Sequence, residues 1–173
     1  PSIYYKLSLD SEQGGLSVSD ATRPNFVKDG DNLYWQDDFG TLHYLSSSVH
    51  YDMYQSTLLS DGKRLLVYGE DNAGTIDLKF QEFDQNTNSL MGSVTSYQTT
   101  ALSSDYYMAN VFIYPSDTNG SLFGVEVNGY MGMSPSIYYK LSLDSEQGGL
   151  SVSDATRPNF VKDGDNLYWQ DDF

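Results

Sequence analysis

The chain of 173 residues carries the same segment at both of its ends. Residues 1–39 and residues 135–173 are identical at all 39 positions, at a fixed offset of 134 residues. A fold that offers one place to this segment therefore has two chemically identical candidates to fill it. The surplus copy must stay unpacked, displace its twin or enter a neighbouring molecule as a swapped element.

The repeat predicts the domain organisation. Residues 1–134 have the length of one ordinary domain, and we expect them to form one complete β domain and repeat unit. Residues 135–173 are then an alternative or strand-swapping segment. Two origins fit this layout. One is a tandem array of near-identical domains in a surface stalk or fibre. The layout also resembles an engineered fold switch, in which residues 1–134 compete with the circularly permuted frame 40–173.

The connections of the two copies predict which of them packs. The first copy joins the rest of the chain through a tight turn at Gly40, whereas the second arrives through the longer segment NGYMGMSP. Closing a short loop costs less entropy than closing a long one, although the dependence is only logarithmic. We therefore expect the N-terminal copy to pack within an isolated molecule. The displaced copy would pair with a neighbour at high concentration.

The texture of the sequence is that of β-structure. The chain holds 15 Tyr, and short alternating apolar runs are separated by Gly, Asn and Asp, which are strand and turn signals. No window sustains a helical apolar face. Four hairpins are predicted, and their turns lie at Gly14–Gly15, Gly40, Gly74 and Gly120. The alternation in TIDLKFQEF breaks at Phe83, which predicts a bulge.

These runs predict an all-β fold with about eight to ten antiparallel strands in residues 1–134. Strands of this number form a sandwich or a closed barrel. Propeller-type blades are the alternative, because SDGKRLLVYGED has the rhythm of a blade strand followed by its hairpin. The spacing of the predicted turns is irregular, which favours the sandwich or the barrel.

Composition narrows the classes of partner. The net charge of −15 argues against nucleic acid and against anionic lipid, because both require clustered Lys and Arg. The absence of cysteine excludes disulfides, thiolate zinc sites and cysteine nucleophiles. No apolar run reaches the ~18 residues of a membrane helix. We expect a secreted or cell-surface protein whose signal peptide lies outside these residues.

Catalytic machinery is not predicted. The two histidines, His43 and His50, lie in strand-like or loop-like sequence, and no G-x-S-x-G elbow accompanies them. The neighbouring carboxylates Asp37 and Asp38 would point to opposite faces of a strand, whereas a glycosidase pair faces across a cleft. We expect a non-enzymatic protein with no catalytic residue.

A carbohydrate site is predicted around the sequence LYWQDDFGTLHY. Sugars stack on aromatic planes and direct their hydroxyl groups to carboxylates and amides. The candidate ligand-binding residues are Tyr34, Trp35, Asp37, Asp38, His43 and Tyr44. Alternation puts Tyr34 and Trp35 on opposite faces, so that one of them is exposed. For Trp35 itself, a position in the core is favoured over one in the site.

Calcium is the predicted cofactor, because Asp and Asn oxygens gather on glycine-bearing turns. The candidate metal ligands are Asp29, Asp31, Asp71, Asn72, Asp77, Asp117 and Asn119. None of the three turns matches the EF-hand loop, and the alternative is that these residues cap tight turns. The sequence as a whole predicts a lectin-like extracellular adhesion module that binds a glycan or cell-surface ligand and associates with itself through the duplicated segment. A structural stalk repeat, assembled by strand exchange, is the alternative function.

Overall fold

The computed structural model describes residues 4–10, 15–59, 61–103, 110–115, 122–128, 137–144, 149–155 and 159–170. All its regular elements are β-strands, and every strand pairing is antiparallel. The all-β prediction is therefore confirmed. The chain divides into two compact units, Pro1–Ser48 and Val49–Phe173. The prediction of one complete domain in residues 1–134, followed by a copy of its beginning, stays a prediction.

The first unit holds a two-stranded and a three-stranded sheet. Strands β1 and β2 form a hairpin, and β3, β4 and β5 follow one another as a meander. The strands are β1 (Tyr4–Asp10), β2 (Gly15–Ala21), β3 (Asn25–Asp29), β4 (Asn32–Gln36) and β5 (Leu42–Ser46).

The second unit holds two four-stranded meanders, β6-β7-β8-β9 and β10-β11-β12-β13, and the separate hairpin β14-β15. The strands are β6 (Val49–Leu58), β7 (Arg64–Asn72), β8 (Thr75–Asp84), β9 (Ser89–Ser103), β10 (Asn110–Pro115), β11 (Leu122–Asn128), β12 (Ile137–Asp144), β13 (Gly149–Asp154), β14 (Asn159–Asp163) and β15 (Asn166–Gln170).

The hairpins follow the turn chemistry of the sequence. Strands β7 and β8 meet at a two-residue loop, in which Ala73 (φ 47°) and Gly74 (φ 92°) both have a left-handed backbone. Two positive φ angles in a two-residue loop define the turn whose twist matches that of the flanking strands. Gly40 (φ 83°) has a left-handed backbone in the longer turn between β4 and β5, which covers residues 37–41. The strand pairs of the other two predicted hairpins also form, while their turn glycines Gly14 and Gly120 lie outside the described residues.

The two four-stranded sheets of the second unit share one apolar core. Core side chains alternate with outward ones along each strand, and those from β6, β7 and β8 meet those from β10, β11 and β12. Polar contacts also join the two sheets: the Ile113 amide donates to Gln55 Oε1 at 2.9 Å, and the Tyr97 hydroxyl donates to Asp154 Oδ1 at 2.8 Å. The fully or nearly buried core residues are Met53, Leu59, Leu65, Val67, Ile76, Leu78, Phe80, Val111, Ile113, Phe123, Val125, Val127, Tyr139 and Leu141.

Strand β7 is buried on both of its faces. Leu65 and Val67 belong to the shared core, while Leu66 and Tyr68, which point the other way, are also almost completely buried. A Cβ atom at Gly69 would overlap the Met53 sulfur and lie 3.2 Å from Ile76 Cγ2. The lack of a side chain at this position therefore lets Met53 fill the core.

Three finer predictions need correction. Within the described residues each sheet is an open row of two to four strands, so the closed-barrel form of the prediction is wrong. In a closed barrel every strand pairs with two neighbours, whereas the first and last strands of each described row pair with one. The structure also describes eleven strands before residue 129, where about eight to ten are predicted. The bulge predicted at Phe83 is wrong as well, because β8 pairs with β7 in regular register through Phe83. The irregular pairing of β8 with β9 between Phe80 and Glu82 comes from extra residues on β9, since the partners Thr95 and Met91 are four residues apart.

Each of the two identical segments is buried in one of its two hairpins and exposed in the other, and the buried hairpin differs between the segments. In the first hairpin, Leu7 of the N-terminal copy is 64% exposed, whereas the equivalent Leu141 of the C-terminal copy is 0% exposed. In the second hairpin the order is reversed, because Leu33 of the N-terminal copy is 0% exposed and the equivalent Leu167 is 67% exposed. The preference for the N-terminal copy is therefore wrong for the first hairpin and right for the second.

Local connection explains this division. Strand β12 pairs with β11, from which only residues 129–136 separate it, and β4 pairs with β5 across residues 37–41. Each place is thus filled by the copy that is close to it along the chain. Short loops cost the least closure entropy, and identical side chains offer no energy difference to oppose that preference.

Candidate functional site

The turn between β4 and β5 is organised around the carboxylate of Asp37. Its Oδ1 accepts hydrogen bonds from the amides of Phe39 at 2.9 Å and Thr41 at 2.8 Å. Its Oδ2 lies 2.9 Å from Nε2 of His43. The Asp37 side chain is buried, so these contacts replace the water that the carboxylate gives up. Asp37 and His43 therefore hold the turn together.

The pKa of Asp37 reflects the same contacts. Burial alone raises the pKa of a carboxyl group, and it is the largest single influence on Asp37. The hydrogen bonds from His43, Thr41 and Phe39 together outweigh burial and hold the pKa of Asp37 below its ordinary value. The carboxylate is accordingly ionised at neutral pH, as its role as a triple acceptor requires.

Trp35 and Tyr34 point to opposite faces of the sheet β3-β4-β5. Trp35 is 1% exposed and its ring meets Phe26 edge-on, with 5.2 Å between the ring centroids. Tyr34 instead meets Tyr44, at a centroid distance of 5.8 Å and an interplanar angle of 70°. The structure therefore places Trp35 in the interior and leaves the aromatic surface to the tyrosines.

The outward face of this sheet combines rings and amides. Directly paired residues share a face, and the register pairs Tyr34 with Tyr44 and Asn25 with Gln36. Tyr44 is 54% exposed, Asn25 is also exposed, and Tyr34 and Gln36 are half-buried. We call Asn25, Tyr34, Gln36 and Tyr44 the tyrosine face. Sequence reasoning finds both tyrosines but misses the two amides, which the register brings beside them.

Asp38 lies outside this face. It is half-buried in the turn, and its backbone carbonyl accepts the Thr22 amide at 2.8 Å. Among the six predicted ligand-binding residues, the structure thus forms two separate groups. One is the pair Tyr34–Tyr44 on the sheet surface. The other is the pair Asp37–His43 in the turn, in which Asp37 is buried and His43 is half-buried.

The predicted calcium ligands of the β7-β8 hairpin lie on opposite faces. Asp71 is paired with Ile76 in the register, and its Oδ1 lies 2.6 Å from Nδ1 of His50. Asp77 is the next residue after Ile76 and points the other way, since strand side chains alternate. There it accepts Asn72 Nδ2 at 3.0 Å and lies 3.5 Å from the ammonium of Lys79.

The remaining predicted metal ligands are distributed as follows. Asp29 and Asp31 are exposed at the turn between β3 and β4. Asp117 and Asn119 lie outside the described residues. In the part of the chain that the structure describes, no group of three or more His, Asp or Glu side chains is arranged to hold a metal ion. Calcium binding stays a prediction.

The pair His50–Asp71 is a feature that sequence reasoning misses. His50 is almost fully buried, and its ring meets Tyr51 edge-on at 4.8 Å. Tyr51 has a left-handed backbone (φ 46°) and lies where the pairing of β6 with β7 is irregular. The partners are 21 residues apart along the chain, so no local pattern announces the contact.

Comparison with protein-family models, with curated proteins and with solved structures finds no match to this chain. Among the described residues, no helix is long and apolar enough to cross a membrane.

Proposed function

We propose that this chain is a non-enzymatic recognition module of a secreted or cell-surface protein, and that its ligand is a glycan bound on the tyrosine face. The observation that carries the proposal is the surface pair of the half-buried Tyr34 and the exposed Tyr44, with 5.8 Å between their ring centroids. Exposed aromatic rings offer a plane for the C–H face of a sugar, and their hydroxyl groups add polar contacts at the rim.

The amides of the tyrosine face supply the directional part of the interaction. Gln36 lies two residues after Tyr34 on the same strand, and Asn25 is its partner on β3. Each side-chain amide carries two donors and an acceptor oxygen, which suits pairs of sugar hydroxyls. An apolar platform with a few convergent polar groups is the usual composition of small-ligand sites.

The charge of the chain narrows the ligand class. A net charge of −15 repels anionic ligands as they approach. We therefore favour neutral glycans over sialylated or sulfated ones. Any salt dependence of binding should be weak for the neutral ligand.

A glycan array is the direct test of this proposal. Neutral glycans immobilised on the array should retain the wild-type chain. Tyr44→Ala and Tyr34→Ala should each abolish this retention, because each removes one ring of the tyrosine face. Tyr168→Ala is the matched control. Tyr168 is the equivalent of Tyr34 in the second copy and is exposed, but it lies in the two-stranded sheet β14-β15. Retention that survives both platform substitutions, or that is lost equally with Tyr168→Ala, would refute the tyrosine face as the site.

A structural role as a stalk repeat is the second candidate. It is favoured by the two exposed hairpins, β1-β2 and β14-β15, whose sequences are packed elsewhere in the same chain. For the second unit we propose a sandwich, because both four-stranded sheets contribute to one core. The consecutive strand order within each sheet is also that of a propeller blade. Light scattering over a range of concentrations separates the two functions, since a stalk repeat should grow in mass and a simple lectin should not.

A further inference from the structure

Hairpin β1-β2 exposes an apolar face. Tyr5 and Leu7 on β1, and Leu16 and Val18 on β2, are all more than half exposed. The register pairs Leu7 with Val18 and continues from there to Leu16, so the three aliphatic side chains lie on the same side of the hairpin. Contiguous exposed apolar surface of this kind marks an interaction site.

The same chain shows what covers this face. Hairpin β12-β13 has the same sequence as β1-β2, and its equivalents Tyr139 and Leu141 lie in the core of the second unit, with Leu150 and Val152 packed against that core. Hairpin β12-β13 pairs with the edge of β11, where Val125 is paired with Tyr139 and Phe123 with Leu141.

We propose that the β1-β2 hairpin of one chain docks on the β11 edge of a second copy, in place of that copy's own β12-β13 hairpin. Docking pairs β1 with β11 in the register now held by β12, so that Tyr5 faces Val125 and Leu7 faces Phe123. The proposal is independent of glycan binding. In the stalk-repeat function, this contact between β1 and β11 joins one chain to the next.

Competition with the resident hairpin sets the conditions for docking. The two hairpins make the same side-chain contacts, but β12 is tethered to β11 through residues 129–136 only. A short tether gives the resident hairpin an effective concentration of the order of millimolar. Docking in trans is therefore an exchange that grows with protein concentration, and a defect in β12 should promote it strongly.

Engineered cysteines can detect the exchange, because the chain has no cysteine of its own. Leu122 of β11 is paired with Ser142 of β12, whose equivalent in β1 is Ser8. Opposite residues of antiparallel strands are about 4.5–5.5 Å apart at Cα, a distance within the usual range for a disulfide. A donor chain carries Ser8→Cys, and an acceptor chain carries Leu122→Cys with Leu141→Asp to weaken its own β12.

The two full-length chains are mixed under mild oxidation, and the disulfide-linked heterodimer is identified by mass. We expect Ser8→Cys to give this heterodimer. Donor Ser17→Cys is the matched control, because Ser17 is paired with Ser8 but lies one strand further from β11. A donor with Leu7→Asp added to Ser8→Cys should lose the product, since its aspartate would be buried in the core.

Two further chains keep the test decisive if the acceptor with Leu141→Asp misfolds. An acceptor with Leu122→Cys alone should give the same heterodimer at high concentration, with a lower yield. The single chain Leu122→Cys/Ser142→Cys should close its internal disulfide and so shows that the geometry permits the bond. The proposal is overturned if that chain closes while Ser8→Cys gives no heterodimer. It is overturned equally if Ser17→Cys or the Leu7→Asp donor reacts as well as Ser8→Cys.

Discussion

Leu7 and Leu141 occupy the same position in two identical segments, yet Leu7 is exposed to solvent and Leu141 is fully buried between two sheets. Neighbours in sequence cannot cause this difference, because the flanking residues are the same. The difference arises from the connection of each copy to the rest of the chain. The role of a residue in this protein is therefore decided by topology as much as by its local sequence.

The contact between Gly69 and Met53 gives a stability prediction. A methyl group at Gly69 would overlap the Met53 sulfur and crowd Ile76, and both of these side chains are fully buried. Gly69→Ala should lower the free energy of unfolding by about 1–3 kcal/mol, the usual cost of overpacking. Gly15→Ala is the control, since Gly15 is also a strand glycine but has no heavy atom within 4 Å of the added Cβ. Urea unfolding measures both, and equal effects of the two substitutions would contradict the overlap.

The turn around Asp37 predicts a dependence of stability on pH. Its pKa in the folded protein lies below the ordinary value, because the hydrogen bonds from His43, Thr41 and Phe39 overcome the effect of burial. A lowered pKa stabilises the fold above the unfolded-state pKa of about 3.9, and the stabilisation is lost as the pH falls through the folded pKa.

Asp37→Asn should therefore be less stable than the wild type by about 1–3 kcal/mol at neutral pH. The difference should stay constant down to about pH 5 and shrink below about pH 4. Asp31→Asn is the control, because Asp31 is an exposed aspartate of the neighbouring turn between β3 and β4. Denaturant unfolding at a series of pH values measures the effect. A difference between Asp37→Asn and the wild type that does not change with pH would show that the ionised carboxylate is not responsible.

Tyr97 donates a hydrogen bond to Asp154, which belongs to the C-terminal segment and is the equivalent of Asp20 in the N-terminal segment. This bond also raises the pKa of Tyr97, with burial as the next cause. Tyr97→Phe and Asp154→Asn should each cost at most about 1 kcal/mol, since the bond lies near solvent. Their effects should not add in the double variant. Asp20→Asn, the equivalent change in the first copy, should be neutral in thermal unfolding, and a loss as large as that of Asp154→Asn would contradict the assignment.

Calcium binding at the β3-β4 turn can be tested by chelation. If Asp29 and Asp31 bind calcium only in the folded state, saturating calcium should raise Tm by mass action, equivalent to about 2.7 kcal/mol at a hundredfold excess over Kd. Excess chelator should remove this gain. Because the β14-β15 turn has the same sequence and register, asparagine at Asp29, Asp31, Asp163 and Asp165 together should make Tm insensitive to calcium. Sodium chloride of matched ionic strength controls for screening of the net charge of −15. A Tm that is unchanged by chelator would show that Asp29 and Asp31 cap the turn and do not bind calcium.

The sequence predicts those parts of the fold that depend on neighbouring residues. Turn glycines and alternating runs identify the hairpins, and Gly74 adopts the left-handed backbone that its turn requires. The run Leu65–Leu66–Val67 also contains a signal for two-sided burial, because continuous apolar residues in a strand indicate contacts on both faces. That signal is present in the sequence but is overlooked when alternation alone is sought.

Other features depend on contacts between distant residues and cannot be predicted in this way. His50 and Asp71 meet only because β6 pairs with β7. The tyrosine face needs the register of three strands before Asn25 and Gln36 come beside the rings. The division of the two copies is the extreme case, because the residues of the two segments are identical and only their connections to the partner strands differ.

Four leucine substitutions test that division most directly. The variant chains are compared by urea unfolding at a protein concentration too low for a hairpin of another molecule to replace the altered one. Leu141→Ala and Leu33→Ala should each destabilise the unit that contains them by about 2–5 kcal/mol, because each removes a fully buried side chain. Leu7→Ala and Leu167→Ala, the same changes in the other copy, should stay within about 0.5 kcal/mol of the wild type. Equal losses for Leu7→Ala and Leu141→Ala, or for Leu33→Ala and Leu167→Ala, would contradict the claim that each identical segment is packed only in one half.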